Sequence, residues 1–418
     1  MMTRLINLVL FALFLTLPFG ASASDKVVLR VSAFPAIDKI IADALPTFYE
    51  RFPNVEVKIT SRSYGDHHTA LTTALAASSN LPDLVAVEQG YLGRFARGKG
   101  LTNLSEQPFS ANEFKDLFVS YTFQQAQGLK GQLMGIPTDI GPGSLFYRHD
   151  IFDASGVSIE QAISSWSAFV DAGITIKKTT GSYLLAHARD LKDIVIRSNI
   201  PPGEGIYFDD QGNSLVQSPR FVRAFELALK AREAGIDAKI GAWSNEWAEG
   251  FRRGELATQM MGAWLGGHLQ NWLAPNTSGK WRVSHLPNGA YASWGGTFYA
   301  IPDKATHKEL AFELIKHLTL QKEQQSRAFQ EQDAFPALLA AHDAEFFTKK
   351  LPFFGNQAPR ILWRDIAAQI PYIPVDQYDP IAEEIVNVAL DDVLNGGVSV
   401  SQALAQAHRL IKRRARRR

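Results

Sequence analysis

Residues 27 to 88 form five successive segments of strand-like and helix-like spacing, and this alternation limits the fold more than any other feature of the chain. Val27 to Ala33 alternates weakly and is β-branched at Val27, Val28 and Val31, as a strand favours, before Phe34-Pro35 breaks it. Ile40, Ile41, Ala44, Leu45 and Phe48 then recur at helical spacing, which predicts a helix from an Asp38 N-cap to Tyr49, closed by Pro53-Asn54. A second strand over Val55 to Thr60, a small-residue helix over His68 to Ala77, and an apolar third strand over Pro82 to Val87 follow. Strands joined through helices make right-handed crossovers in a mostly parallel sheet covered on both faces. Ligands of such α/β sheets lie beyond the carboxyl ends of the strands. Here those ends are Phe34, Ser63-Tyr64 and Glu88-Gln89.

Downstream the chain is helix-rich. Amphipathic helices are predicted over Pro219 to Ala234 with Ser218 as N-cap, Trp247 to Arg252, His307 to Leu320 and Ser401 to about Arg413. No internal repeat or low-complexity linker interrupts the pattern. About 395 residues without a linker point to two lobes that share the chain through several crossings.

Residues 1 to 23 read as a secretory signal: Arg4 supplies the positive start, Leu5 to Leu17 an apolar run, and Ala21-Ser22-Ala23 a small-x-small cleavage site. The run is shorter than the roughly 20 residues that span a bilayer. The chain has no cysteine, which excludes disulfides, thiolate zinc sites, iron–sulfur clusters and cysteine nucleophiles, and leaves no residue for a bacterial lipid anchor. A protein secreted this way and not lipid-anchored is expected in a Gram-negative periplasm. Without the signal and the basic run Lys412 to Arg418, the body carries 36 basic against 42 acidic residues. That balance argues against a nucleic-acid surface. The basic run itself reads as a solvated helix extension whose charge suits a helix C-terminus.

Six of the eight tryptophans fall between residues 243 and 294. Flat aromatic faces match the C–H faces of sugar rings, and neighbouring carboxylates and amides bind their hydroxyls. Trp264 and Trp294 are set among glycines, in Gly262-Ala263-Trp264-Leu265-Gly266-Gly267 and Ser293-Trp294-Gly295-Gly296, where a ligand can approach closely. Trp272 and Trp281 read as structural. The adjacent His67 and His68 are expected to point apart, no His-Glu-x-x-His occurs, and neither a metal site nor a cofactor is indicated. Glu88 and Asp139 suit either the carboxylate pair of a glycosidase or hydroxyl acceptors in a binding cleft.

Several motifs recur in order. They are Leu81-Pro82-Asp83-Leu84-Val85-Ala86-Val87-Glu88 with Gly98-Lys99-Gly100-Leu101; Gly135-Ile136-Pro137-Thr138-Asp139 leading to Leu145-Phe146-Tyr147; Phe251 to Trp264 with a Phe-x-x-Gly-Glu-x-Ala core; Trp294-Gly295-Gly296 through Ile301-Pro302; and Gly396-Gly397-Val398 to Leu404. With these the chain resembles the extracellular solute-binding proteins of ABC-type sugar importers, the maltose-binding-protein-like family. The resemblance implies a two-lobed periplasmic-binding-protein fold, each lobe a mostly parallel sheet flanked by helices, with several hinge crossings. Lobe 1 is expected over 24–138 and 298–346, and lobe 2 over 139–297 and 347–418, including the tail 412–418.

The resemblance also implies that Glu88 and Asp139 take ligand hydroxyls, that Trp264 stacks on the sugar, and that Gly295-Gly296 lie beside it. Tyr64, Trp294 and Arg360 extend that set, and Phe34 and Gln89 join it from the strand ends. The family pattern departs at Ser164-Ser165-Trp166 and over Ser182 to Pro202. The implied function is binding without chemistry by a monomer, with a small carbohydrate as ligand and ABC permease subunits in the inner membrane as partners. A same-fold receptor for a non-sugar solute, such as a glycerol phosphodiester or a polyamine, and a secreted carboxylate-dependent glycosidase remain as alternatives.

Overall fold

The computed structural model describes residues 26–415 apart from 99, 129 and 344, so the signal segment 1–23 and the tail end 416–418 lie outside the described residues. The first five elements are β1 (Val27–Ala33), α1 (Ile37–Arg51), β2 (Val55–Ser61), α2 (Tyr64–Ala77) and β3 (Leu84–Glu88), followed directly by α3 (Gln89–Ala96). As the alternation predicts, β1 pairs in parallel with β2 and with β3. The expected Asp38 cap is instead a first-turn residue, because α1 starts at Ile37 behind Ala36, whose φ is 74°. The second helix begins a turn earlier than its apolar spacing suggests. The Ser63 hydroxyl donates to the Asp66 carboxylate at 2.6 Å and accepts from the Asp66 N–H at 3.4 Å, a local cap that hydrophobic periodicity does not register. Tyr64 consequently sits in the first turn of a helix.

Beyond β3 the expectation of a mostly parallel sheet in each lobe requires correction. The strand β4 (Ile136–Arg148) runs out, and β7 (Ser293–Ala300) returns beside it, pairing antiparallel with both β4 and β3. A chain that leaves along one strand and comes back along its neighbour must pair antiparallel there. The far half of β4 is flanked antiparallel by β5 (Thr258–Gly262) and β6 (Trp281–Ser284). Among the described residues, parallel pairing in the second lobe survives only as the isolated bridges Tyr183 to Leu256 and Leu185 to Asp237.

The shared strands divide the core by their period of two. Leu145 and Tyr147 face one apolar cluster while Phe146 between them faces the other, and Met260 and Met261 on β5 split the same way. One cluster fills the space around β1, β3 and β7 and extends to Trp247, Trp281, Phe354 and Trp363. The second gathers Phe169, Leu191, Phe225, Leu390 and Leu404 from five helices, the last being Val400–Ala415.

The crossing point depends on small residues. A Cβ on Gly141 would meet the Trp294 carbonyl oxygen at 1.8 Å. Gly295 and Gly296 hold φ of 83° and 141°, beside two register shifts in the β4 to β7 ladder.

Candidate functional site

A cavity of about 350 Å3 lies where the lobes meet. The first lobe contributes Tyr64, Glu88, Gln89 and Tyr91, and the crossing strand β7 contributes Trp294 and Gly295. Arg197, Ile206 and Tyr207 face them from the second lobe, and Asp379 and Glu383 come from the last third of the chain.

The first wall is a hydrogen-bonded unit built on β3 and α2. Glu88, the N-cap of α3, accepts the Gly90 N–H at 2.7 Å and the Tyr64 hydroxyl at 2.5 Å on the same carboxylate oxygen. Its own N–H donates to His68 Nε2 at 3.1 Å. An Nε2 that accepts leaves the ring proton on Nδ1, which donates to the Tyr64 carbonyl at 2.8 Å. Burial favours the neutral ring and pushes the His68 pKa down to about 3, and the Tyr91 ring stacks on it at 4.1 Å. His67 does not point away. Its Nε2 donates to the Ala86 carbonyl at 2.7 Å, and the two rings lie 4.8 Å apart, because neighbours on a helix differ by about 100° and a wide apolar face takes both.

Burial also pushes the Glu88 carboxyl up to about 7, against the lowering effect of its two donors. Tyr64 is 44% exposed through its ring while its hydroxyl end turns inward on Glu88, and burial together with that carboxylate raises its pKa. Phe34 supports Tyr64 edge-on at 5.8 Å without lining the cavity.

The second wall is ionic. Arg197 ends the helix Ala188–Arg197, donates to the Asp193 carbonyl at 3.0 Å, stands 3.7 Å from the Glu383 carboxylate, and lies over the Trp294 ring at 4.8 Å. Burial alone would lower its pKa, but Tyr207, Asp193, Glu383 and Glu88 outweigh burial and raise it. Asp379 accepts the Asp376 N–H at 2.7 Å, and burial carries its carboxyl up to about 8. Asp376 in turn meets Arg97 at 3.4 Å, and Gly93 lets α3 touch the Asp376 backbone, where a Cβ would fall 2.3 Å from its carbonyl oxygen. The two walls are thereby fastened at one rim.

The structure thus gathers Tyr64, Glu88, Gln89, Trp294 and Gly295 from the sequence-derived set. Asp139 is buried within β4 opposite Thr297 and does not line the cavity; burial raises its carboxyl to about 6. Gly296 pairs with Ile140 as backbone. Trp264 stands just outside, donating from Nε1 to the Trp294 carbonyl at 2.9 Å. Arg360 is buried against the rings of Phe346 and Phe329, at 5.0 and 5.2 Å, and is also absent from the lining. Tyr91, Arg197, Tyr207, Asp379 and Glu383 escape the sequence reading. Asp379-Pro380 is a helix-start signal that would have set Asp379 and Glu383 one turn apart on a single face. Among the described residues no group of three or more potential ligands is placed to hold a metal ion, and no helix is long and apolar enough to cross a membrane.

Two lobes joined by crossing strands, with a cavity walled from both, define a cleft receptor for a small solute. The chain belongs to the bacterial extracellular solute-binding protein family, whose profile matches residues 44–354. It is 24% identical over 374 residues to the arabinooligosaccharide-binding protein of Halalkalibacterium halodurans, covering 85% of this chain and 82% of that one. It is also 24% identical over 366 residues to the lactose-binding protein of Rhizobium radiobacter, covering 83% and 82%. Among solved structures, an extracellular solute-binding protein of family 1 superposes with a TM-score of 0.80 at 25% identity, over 93% of this chain and 99% of that chain. The sugar-binding protein MalE from Xanthomonas citri superposes with a TM-score of 0.74 at 21% identity, over 93% and 98%. The family consists of binding proteins, which removes the glycosidase alternative.

Proposed function

We propose that this protein is the periplasmic substrate-binding component of an ABC importer, which takes a sugar or oligosaccharide between its lobes and hands it to permease subunits in the inner membrane. The observation that carries the reading is the make-up of the two walls. Glu88, Gln89, Asp379, Glu383 and Arg197 supply acceptors and donors for hydroxyls, and Tyr64, Tyr91, Tyr207 and Trp294 supply flat apolar surface. The carbohydrate names of both curated relatives support it. The lobes correspond to 24–138 with 298–346 and to 139–297 with 347–418, and residues 1 to 23 direct secretion before removal. The protein acts as a monomer. Because ligand touches both lobes only when the cleft is closed, it shifts an open–closed equilibrium by its differential affinity, and the permease reads the closed form.

A thermal-shift screen against mono-, di- and oligosaccharides tests this. A ligand at 100 times its Kd adds about 2.7 kcal/mol to the native state and raises Tm by several degrees. A panel that leaves Tm unmoved, while glycerol phosphodiesters or polyamines raise it, contradicts the sugar reading.

A further inference from the structure

Outside the cavity, two tryptophans lie side by side at the surface. Trp243 and Trp272 are 53% and 47% exposed. Their rings lie 6.4 Å apart at 25°, and Trp243 lies 5.8 Å from Trp264 at 24°. Near-parallel rings at such separations are offset, so they form steps rather than a closed stack. Two exposed indoles side by side form an apolar patch of the kind found at ligand and partner contacts.

The steps are held in place. Trp243 has φ of 71°, a left-handed backbone that a bulky residue keeps only where its surroundings impose it. Here the imposing element is the turn before the helix Asn245–Arg253, where the Ser244 hydroxyl donates to the Gly241 carbonyl at 2.9 Å and accepts the Trp247 N–H at 3.1 Å. Trp272 is fixed by Arg252, which donates to its carbonyl at 2.9 Å, and its own Nε1 donates to His268 Nδ1 at 3.2 Å. Burial pushes His268 down to about 4, so at neutral pH it is the uncharged acceptor that this bond needs.

The innermost step, Trp264, abuts residues that line the cavity. Trp264 Nε1 donates to the Trp294 carbonyl at 2.9 Å, and a Cβ on Gly295 would lie 3.0 Å from that nitrogen and 3.7 Å from a Glu88 carboxylate oxygen. Trp294, Gly295 and Glu88 all line the cavity. The cavity's 350 Å3 is at the small end of the roughly 300–1,000 Å3 range of ligand pockets, room for about one or two sugar rings.

We infer that Trp243 and Trp272 form an outer stacking subsite, and that the ligand is an oligosaccharide whose inner end fills the cavity while its later rings lie on these two tryptophans. The inference rests on the sugar reading of the cavity and adds chain length to it. Trp272, which the sequence suggests is structural, is by this account a binding residue.

Calorimetric titration of the protein and of the W243A/W272A double variant with malto-, arabino- and galacto-oligosaccharides of one to six units tests it. Both substituted side chains are exposed, and an unchanged Tm without ligand verifies that the fold is intact. The expected result is that affinity in the recognised series rises about tenfold between the disaccharide and the tetrasaccharide, the scale of one or two aromatic contacts. In the double variant that gain disappears and the disaccharide binds as before. A gain with length that survives the double substitution, or affinity independent of length in the unsubstituted protein, overturns the outer subsite and leaves the cavity reading standing. Binding of no saccharide at any length contradicts the cavity reading, and the outer subsite falls with it.

Discussion

Tyr64, Glu88, Gln89 and Tyr91 on one wall of the cleft come from a single stretch of chain around β3, whereas Arg197, Tyr207, Asp379 and Glu383 on the other come from two stretches far apart in sequence. The first wall is set by local hydrogen bonds, with one carboxylate accepting from two donors and a neutral histidine fixing its backbone. The second is set by charge, with Arg197 held among Asp193, Glu383 and Trp294. Their opposite pKa behaviour follows. The fold favours the neutral form of Glu88 and the charged form of Arg197. A receptor so built keeps one rigid face and one face whose parts meet only when distant segments are packed together.

The largest effect is expected at the seam between the walls. Gly141→Ala drives a methyl group into the Trp294 carbonyl, so the strands must separate, and a loss of about 4 kcal/mol or failure to fold is expected in urea unfolding. A loss below about 1 kcal/mol would mean that the crossing yields easily. Next comes Arg197→Met, which leaves Glu383 without its cation while Asp193 keeps Lys192, and is expected to cost about 2 kcal/mol, less than a fully buried pair because Glu383 is partly in water.

Glu88→Gln should have the opposite sign. The Glu88 pKa rises from 4.5 to about 7 on folding, so its contribution is fully present below pH 4.5 and is lost as pH climbs through 7. The variant is therefore expected to match the parent at pH 4.5 and to exceed it by about 1–3 kcal/mol at pH 8. Parallel stability curves for the two proteins would show that Glu88 is ionised without penalty. The smallest of these effects belongs to His68→Phe, which keeps a ring against Tyr91 but removes the acceptor of the Glu88 N–H. An unpaired buried donor costs about 1–2 kcal/mol, measurable by urea unfolding.

The first wall, Tyr91 apart, was legible in sequence because its parts obey local rules. Strand ends at Glu88-Gln89 and Ser63-Tyr64 place side chains on one edge of a parallel sheet, and β1 to β3 are that sheet. Trp294-Gly295 was legible because glycines beside a tryptophan mark a close approach. Legibility failed where neighbours in space are strangers in sequence. Nothing near Arg197 announces Glu383, and the antiparallel return of β7 is a consequence of chain path, which hydrophobic spacing does not encode. Asp139 misleads for a related reason. The resemblance has it take ligand hydroxyls, yet β4 runs through it with two register shifts, passes close to the Trp294 carbonyl at Gly141, and leaves the carboxylate buried in the sheet.

The claim that both walls grip one ligand is tested most directly by calorimetry on the parent, E88Q, R197M and the double variant with the saccharide that gives the largest thermal shift. The account predicts that each single substitution weakens binding by at least about tenfold, the scale of one hydrogen bond, with enthalpy lost on both sides of the cleft. Affinity that is unchanged when either wall is altered would contradict it.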